Sequence, residues 1–243
     1  MSADAKPQSS ELHPGPGFRI RHRIQRPDPA LLAAFRALEG PMVSDLMNRL
    51  YTMRPAIQNL TDPDLAPLVG PACTVKVFPG DNLMVHAALD VARPGDVLVV
   101  DAGGSYMNAV LGDLISNKAR HRGIAGIVVD GLVRDIDGIR EARIPVFARG
   151  VTPVGPLHRG PGEVNFPIQC GGIVVSPGDV IFADSNGVVV VPLEIAAELL
   201  KRCQEKTANE ESYVASVKRG KFSNVWVHVE LAAQGCQQID AEE

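Results

Sequence analysis

Short apolar runs that stop at an aspartate, with helical stretches between them, constrain this chain more than any other feature. Pro94-Gly95-Asp96 leads into VLVVD, which ends at Asp101 and the loop AGGS. GIAGIVVDG reads as a second strand ending in a loop, and IPVFARG as a third. Apolar runs of roughly four to eight residues bounded by Gly, Pro and Asp are buried strands rather than helices. Between them, Gly112 to Arg122 and Asp137 to Ala142 carry helical patterning. This β-α-β alternation predicts an α/β domain with parallel pairings and ligands at the carboxyl ends of strands.

Other stretches fill in the frame. Asp28 to Leu38 has helical spacing and stops at Gly40, and Ser44 or Asp45 is expected to cap a second helix through Leu50. Pro55 to Pro67 reads as loop, and Ala72 to Phe78 as a strand ending at Pro79-Gly80. Asp81 to Ala92 reads as a helix on which Asn82 and His86 share a face. Leu193 to Val217, rich in Ala, Leu, Lys and Glu, predicts one long helix. PGDVLVVDAGG at 94–104 aligns with PGDVIFADSNG at 177–187, which suggests related β-hairpin elements in one sheet system. Asp184-Ser185-Asn186-Gly187 reads as a hairpin turn in which Asn-Gly supplies positive φ.

Bulk properties exclude several classes. The 243 residues suffice for a sizeable core, and one domain over residues 26–243 is expected after a flexible N-terminal tail, 1–25. The opening MSADAKPQSSELHPGPG is polar and Pro-rich, without the apolar stretch of a secretory signal. Apolar runs fall far short of the roughly 20 residues of a membrane span. A net charge of −4, with one short basic cluster from Arg19 to Arg23, leaves little footprint for nucleic acid. Cys73, Cys170, Cys203 and Cys236 form no CxxC pair and read as reduced structural thiols of a cytoplasmic protein.

Chemistry converges on two segments. Gly112-Asp113-Leu114-Ile115 opens a helix after the Gly103-Gly104 loop, and free first-turn N–H groups there form a seat for a carboxylate. Arg134-Asp135 follows the strand Ile127 to Val129; neighbouring side chains on extended backbone diverge, so a turn at Gly131 is expected to bring both to one site. Arg134 suits a substrate carboxylate or oxyanion, and Asp135 suits Mg²⁺ or Mn²⁺, directly or through water. Against this stand plainer roles: Arg-Asp as exposed loop charges, Asp113 answering the helix dipole, Asp130 capping a turn. Lys118, beside Arg120 and Arg122, reads as a solvated face rather than a Schiff-base lysine. His86 with Asn82 is a weak candidate for the pocket's border, while His121, His158 and His228 show no partners. Cys170 has no evident activating base. Arg149, Arg159, Asn165 and Phe166 are open between substrate contact and surface.

Gly112 to Ile115, then Arg134-Asp135 twenty residues beyond Asp113, resembles the D-x20-R-D signature of the 4-hydroxy-4-methyl-2-oxoglutarate aldolase family, which includes the regulator of ribonuclease activity A. The likeness extends to DNLMVHAALDVARPGDVLVVD, VVDGLVRDIDGIRE and PVFARG, over roughly residues 40–200. It implies a layered α/β/β sandwich of the swivelling-domain type, with mixed sheets and a long C-terminal helix. It also implies class II cleavage of 4-hydroxy-2-oxo acids to pyruvate, with oxaloacetate decarboxylation through the same enolate. Gly112, Asp113, Leu114 and Ile115 would bind the pyruvyl carboxylate through backbone N–H groups, Arg134 would contact substrate, Asp135 would hold the Mg²⁺ or Mn²⁺, and Asp113 would orient water there. The family's homotrimers or homohexamers place the site between subunits, where Glu205, Glu210 or Glu211 of a neighbour would complete the metal's surroundings through water. The alternative is a non-catalytic regulator that binds a ribonuclease.

Overall fold

A computed structural model describes residues 15–65 and 67–239. The chain opens with β1 (Phe18–Ile20), α1 (Pro29–Phe35), α2 (Gly40–Leu46), β2 (Gln58–Asn59) and β3 (Leu68–Val77). The central part runs α3 (Leu83–Val91), β4 (Val97–Asp101), β5 (Ala109–Leu111), α4 (Asp113–His121), β6 (Gly126–Asp130), β7 (Leu132–Val133), α5 (Ile136–Glu141), β8 (Val146–Ala148) and β9 (Gly150–Val151). Then follow β10 (Gly162–Val164), β11 (Ile168–Cys170), β12 (Ile173–Val175), β13 (Val180–Asp184), β14 (Gly187–Val191), α6 (Ala196–Lys218) and α7 (Val225–Ala233). The chain divides into two compact units, one ending at Cys203 and one beginning at Gln204. In the second, α7 was not foreseen, and Tyr213, Phe222 and Trp226 are exposed.

The first unit is a mixed α/β structure. Its principal sheet runs β1-β10-β3-β4-β6-β8-β2, with the β13-β14 hairpin joined to β3. β3, β4, β6 and β8 are mutually parallel. Successive residues of these strands feed opposite cores: Leu98, Val100, Ile127 and Val129 join one, Val97, Val99 and Val128 the other. A sheet covered on both faces needs apolar residues at every position, which is why VLVV and IVV do not alternate. α3, α4 and α5 contribute Val85, Ile115 and Ile139 to the first core, and the β11-β12 pair contributes Ile168 and Val175 to the second. The expected α/β/β layering follows. A third core gathers Phe35, Val43, Phe182 and Leu199 from α1, α2, β13 and α6.

Three expectations shift. Within the stretch read as a tail, residues 1–14 lie outside the described residues, while β1 pairs in parallel with β10. Arg19 and Arg21 stack on Phe166, and Arg19 Nε lies 2.6 Å from Glu163 Oε1, which fixes that edge. α2 begins at Gly40 rather than at Ser44 or Asp45, because Asp184 Oδ2 accepts the Gly40 N–H at 2.9 Å and supplies the cap from 144 residues away. The two PGD segments share a turn, not a hairpin. Asp96 accepts from Arg93 N at 2.8 Å and Asp179 from Ser176 N at 2.7 Å, yet β4 runs parallel to β3 and only β13 forms a hairpin. The positive φ in that hairpin's turn lies at Gly187.

Candidate active site

A small parallel sheet, β5-β7-β9, stands apart from the principal sheet and carries the site. β5 ends at Leu111 and hands the chain to Gly112, the N-cap of α4; β7 ends at Val133 and hands it to Arg134. Arg134 N donates to Leu111 O at 3.0 Å, which sets the two carboxyl-terminal ends side by side. A cleft of about 280 Å³ opens there, one wall formed by Leu111 to Ile115 with Arg134 and Asp135.

Asp135 solves the divergence problem of adjacent side chains. Its backbone is left-handed, φ 56° and ψ 47°, as the N-cap of α5. The turn therefore falls at Asp135 rather than at Gly131. The Arg134 Nε–Asp135 Oδ2 separation is 3.1 Å, with both side chains accessible at 40% and 45% exposure, so the pair is open to ligand rather than sealed in the core. A non-glycine residue held left-handed is costly, and such conformations cluster at functional sites. Gly112 fits against this pair: a Cβ there would collide with Asp135 Oδ2 and lie 3.2 Å from Arg134 Cγ. A Cβ on Gly155 would likewise meet Arg134 Nη1 at 2.5 Å, so Gly155 backs the guanidinium.

Asp113 occupies the first turn of α4, where its Oδ1 accepts from Leu114 N at 2.7 Å. Its carboxylate thus already covers one donor of the expected anion seat. Ser116 Oγ donates to Gly112 O at 3.0 Å and steadies the cap. Among the described residues no group of three His, Cys, Asp or Glu side chains could hold a metal. A cage of protein ligands is therefore the wrong fit. A hydrated Mg²⁺ or Mn²⁺ suits the donors present, because such hard cations retain waters and accept one or two carboxylates plus substrate oxygens. Asp135, whose carboxylate is exposed at the cleft, is the residue that could hold one.

The rest of the lining consists of Asn82, His86, Lys118, Pro156 and His158. Asn82 and His158 are brought there by the pairing of Gly80–Asn82 with Leu157–Gly160, while His86 comes from α3 and Lys118 from α4. Leu157 N donates to Gly80 O at 2.8 Å, Asn82 N to Leu157 O at 3.0 Å, and the buried Asp81 accepts from Arg159 N and Gly160 N at 2.5 and 3.0 Å. His158, without a partner in the sequence reading, lies with Nδ1 2.5 Å from Asn82 Oδ1, and its ring centre is 6.0 Å from that of His86. Burial, then the Lys118 ammonium and His158, hold the His86 pKa below the ordinary imidazole value. Lys118, read as part of a solvated face, borders the cleft. The i, i+4 relation of Asn82 and His86 was the one sequence signal for this part of the lining.

Other candidates serve the scaffold. Asp130 is buried, ion-paired with Arg149 Nε, and accepts from Gly171 N at 2.8 Å. Arg149 therefore faces Asp130 and Tyr106, and Asn165 is buried with Nδ2 donating to Arg21 O at 2.9 Å. Cys170 is buried, which pushes its thiol well above the ordinary range and makes it a poor nucleophile. Glu205, Glu210 and Glu211 lie on α6 in the second unit, where Glu210 Oε1 is 3.8 Å from Lys206 Nζ.

Comparison with known proteins gives the site its context. The profile of a family described as "RraA-like: Aldolase/RraA" matches residues 41–190. A Halalkalibacterium halodurans protein provisionally named 4-hydroxy-4-methyl-2-oxoglutarate aldolase is 39% identical over 181 residues, 74% of this chain and 85% of that one. A Streptomyces coelicolor crystal structure, described as an unusual member of the RNase ES inhibitor RraA family, superposes with TM-score 0.70 at 30% identity, covering 78% and 99% of the two chains. An uncharacterized Pseudomonas syringae protein superposes with TM-score 0.71 at 28% identity, covering 82% and 92%.

Proposed function

Because the chain belongs to the RraA-like family of aldolases and RraA proteins, we propose that it is a divalent-metal-dependent carbon–carbon lyase. Its substrates in this reading are 4-hydroxy-2-oxo acids of the 4-hydroxy-4-methyl-2-oxoglutarate or 4-carboxy-4-hydroxy-2-oxoadipate type, cleaved to pyruvate and a second oxo acid in the cytoplasm. One observation carries the reading: the N-terminus of α4, Arg134 and Asp135 border one cleft at the carboxyl ends of β5 and β7.

Bound Mg²⁺ or Mn²⁺ supplies a Lewis acid that draws electron density from the substrate's 2-oxo group. Backbone N–H groups of Gly112 to Ile115, with Leu114 N given up by the Asp113 carboxylate, and Arg134 hold the pyruvyl carboxylate, and Asp135 is the residue suited to anchor the cation. Asp113 orients a water that removes the C4 hydroxyl proton. As the C3–C4 bond breaks, its electron pair passes to C3, and C4 leaves as the carbonyl of the second product. The resulting pyruvate enolate is stabilised at its oxygen by Arg134 and takes back at C3 the proton that the water accepted. Oxaloacetate loses CO2 to the same enolate, so decarboxylation belongs to the reading. So does a homotrimer or homohexamer, in which Glu205, Glu210 or Glu211 of a neighbouring subunit supports the cation through water.

Pyruvate release from the two hydroxy acids and from oxaloacetate, with and without Mg²⁺ or Mn²⁺, is the test. Metal-dependent release that falls on the order of 10²–10³-fold in Arg134→Ala, and is lost in Asp135→Ala, is the expected result. No release from any of the three favours the second reading, a ribonuclease-binding regulator, which the description of the Streptomyces relative supports.

A further inference from the structure

Two cationic groups line the cleft, Arg134 and Lys118. Arg134 is balanced in part by Asp135 at 3.1 Å. Lys118 is exposed at the cleft, and no ion pair engages it among the described residues. Its charge acts on the cleft, because it is the second cause, after burial, of the depressed His86 pKa. A depressed pKa keeps His86 neutral near pH 7, so Lys118 rather than that imidazole offers an anion its charge there.

Spacing on α4 gives the distance between the two ends. Lys118 follows Leu114 by four residues and Asp113 by five, so its Cα stands about 7.5 Å farther along the axis than that of Asp113. Helical side chains lean back toward the N-terminus, and the lysine stem therefore brings its ammonium over the preceding turn, toward Gly112 to Ile115. The carboxyl carbons of an extended five-carbon diacid lie about 5 Å apart, four zigzag bonds of about 1.5 Å. A carboxylate seated at the start of α4 thus leaves the far carboxylate of such a molecule within reach of Lys118.

We propose that Lys118 binds the second carboxylate of the substrate, beside His86 and the Asn82-anchored His158, and so makes the cleft selective for dicarboxylic over monocarboxylic 2-oxo acids. The inference rests on the lyase reading for its substrates, but not for its binding chemistry.

The test uses the full-length protein with Mg²⁺. The variants are Lys118→Gln, which keeps length and removes charge, and Lys118→Arg, which restores charge. In turnover, the ratio of kcat/KM for 4-hydroxy-4-methyl-2-oxoglutarate to that for 4-hydroxy-2-oxopentanoate, which lacks the far carboxylate, falls about tenfold in the Gln variant, mainly through KM, and recovers in the Arg variant. An unchanged ratio, or a parallel loss on both substrates, overturns the proposal. Calorimetric titration with 2-oxoglutarate and 2-oxobutanoate reads the same preference without catalysis. If the wild-type protein turns over neither hydroxy acid, nor 4-carboxy-4-hydroxy-2-oxoadipate nor oxaloacetate, the lyase reading fails. A preference for 2-oxoglutarate that Lys118→Gln abolishes then still supports the carboxylate site, and equal binding of the two acids overturns it.

Discussion

Asp135 adopts a backbone conformation that L-residues avoid, and the atom that would stop it is missing from its neighbour. Gly112 has extended backbone with φ −148° and ψ −156°, so nothing in its own torsions requires glycine. What requires it is the absence of a Cβ beside Asp135 Oδ2. Gly112→Ala is therefore expected to displace the Asp135 carboxylate while the protein stays folded. Mn²⁺ affinity and pyruvate release should fall at least tenfold with an unchanged circular dichroism spectrum, a site 1 Å out of place being enough for such losses. Full activity in this variant would show that Asp135 has room to retreat without consequence. The residue types at this end of the cleft were legible in the sequence, because Gly-Asp at a helix start and Arg-Asp after a strand carry their chemistry locally. The left-handed turn was not, since no glycine or asparagine marks it. Nor was His158, whose partner Asn82 lies 76 residues away and reaches it only through the folded chain.

Among the elements, the strands were readable because a sheet buried on both faces spells itself out as uninterrupted Val, Ile and Leu. Helix starts depended on remoter residues. α1 begins where expected, with Asp28 Oδ1 accepting from Ala30 N at 2.7 Å, a local cap. α2 does not, because Asp184 caps it from another part of the chain. The entry to β4 shows the same dependence. Asp96 is buried and takes a bidentate contact from Arg26, Nε to Oδ1 at 2.8 Å and Nη2 to Oδ2 at 2.7 Å. Removing one partner of such a pair strands the other charge. Arg26→Ala should lower unfolding stability by about 3 kcal/mol, read as a lower urea midpoint at unchanged slope. A loss below 1 kcal/mol, as for surface pairs, would mean that water reaches Asp96 once the arginine is gone. This contact also explains why the segment ahead of α1 does not hang free.

Across the whole molecule, one sheet separates two apolar cores, and each holds a cysteine: Cys73 in the first, Cys170 in the second, with Cys203 in the third. Burial pushes the Cys73 thiol up to about 12 and Cys170 well above the ordinary range. Cys236, exposed in the second unit, has no such protection. Native protein at pH 8 should therefore react with one equivalent of a thiol reagent quickly, and with the other three only after denaturation. A second fast thiol would place a breach in one of the cores.

No strand of the principal sheet lends a residue to the cleft. Its walls hang from the satellite sheet β5-β7-β9, from α3 and α4, and from the connection around Pro156 and His158. Arg134 and Asp135 come from the end of β7, Asn82 and His158 from the paired segments beyond the cleft, and α4 spans both with Asp113 at its start and Lys118 five residues on. Mutation can thus revise which molecules the cleft admits without disturbing how bonds are broken in it, and a lineage built on this scaffold can diversify its diet while keeping its chemistry.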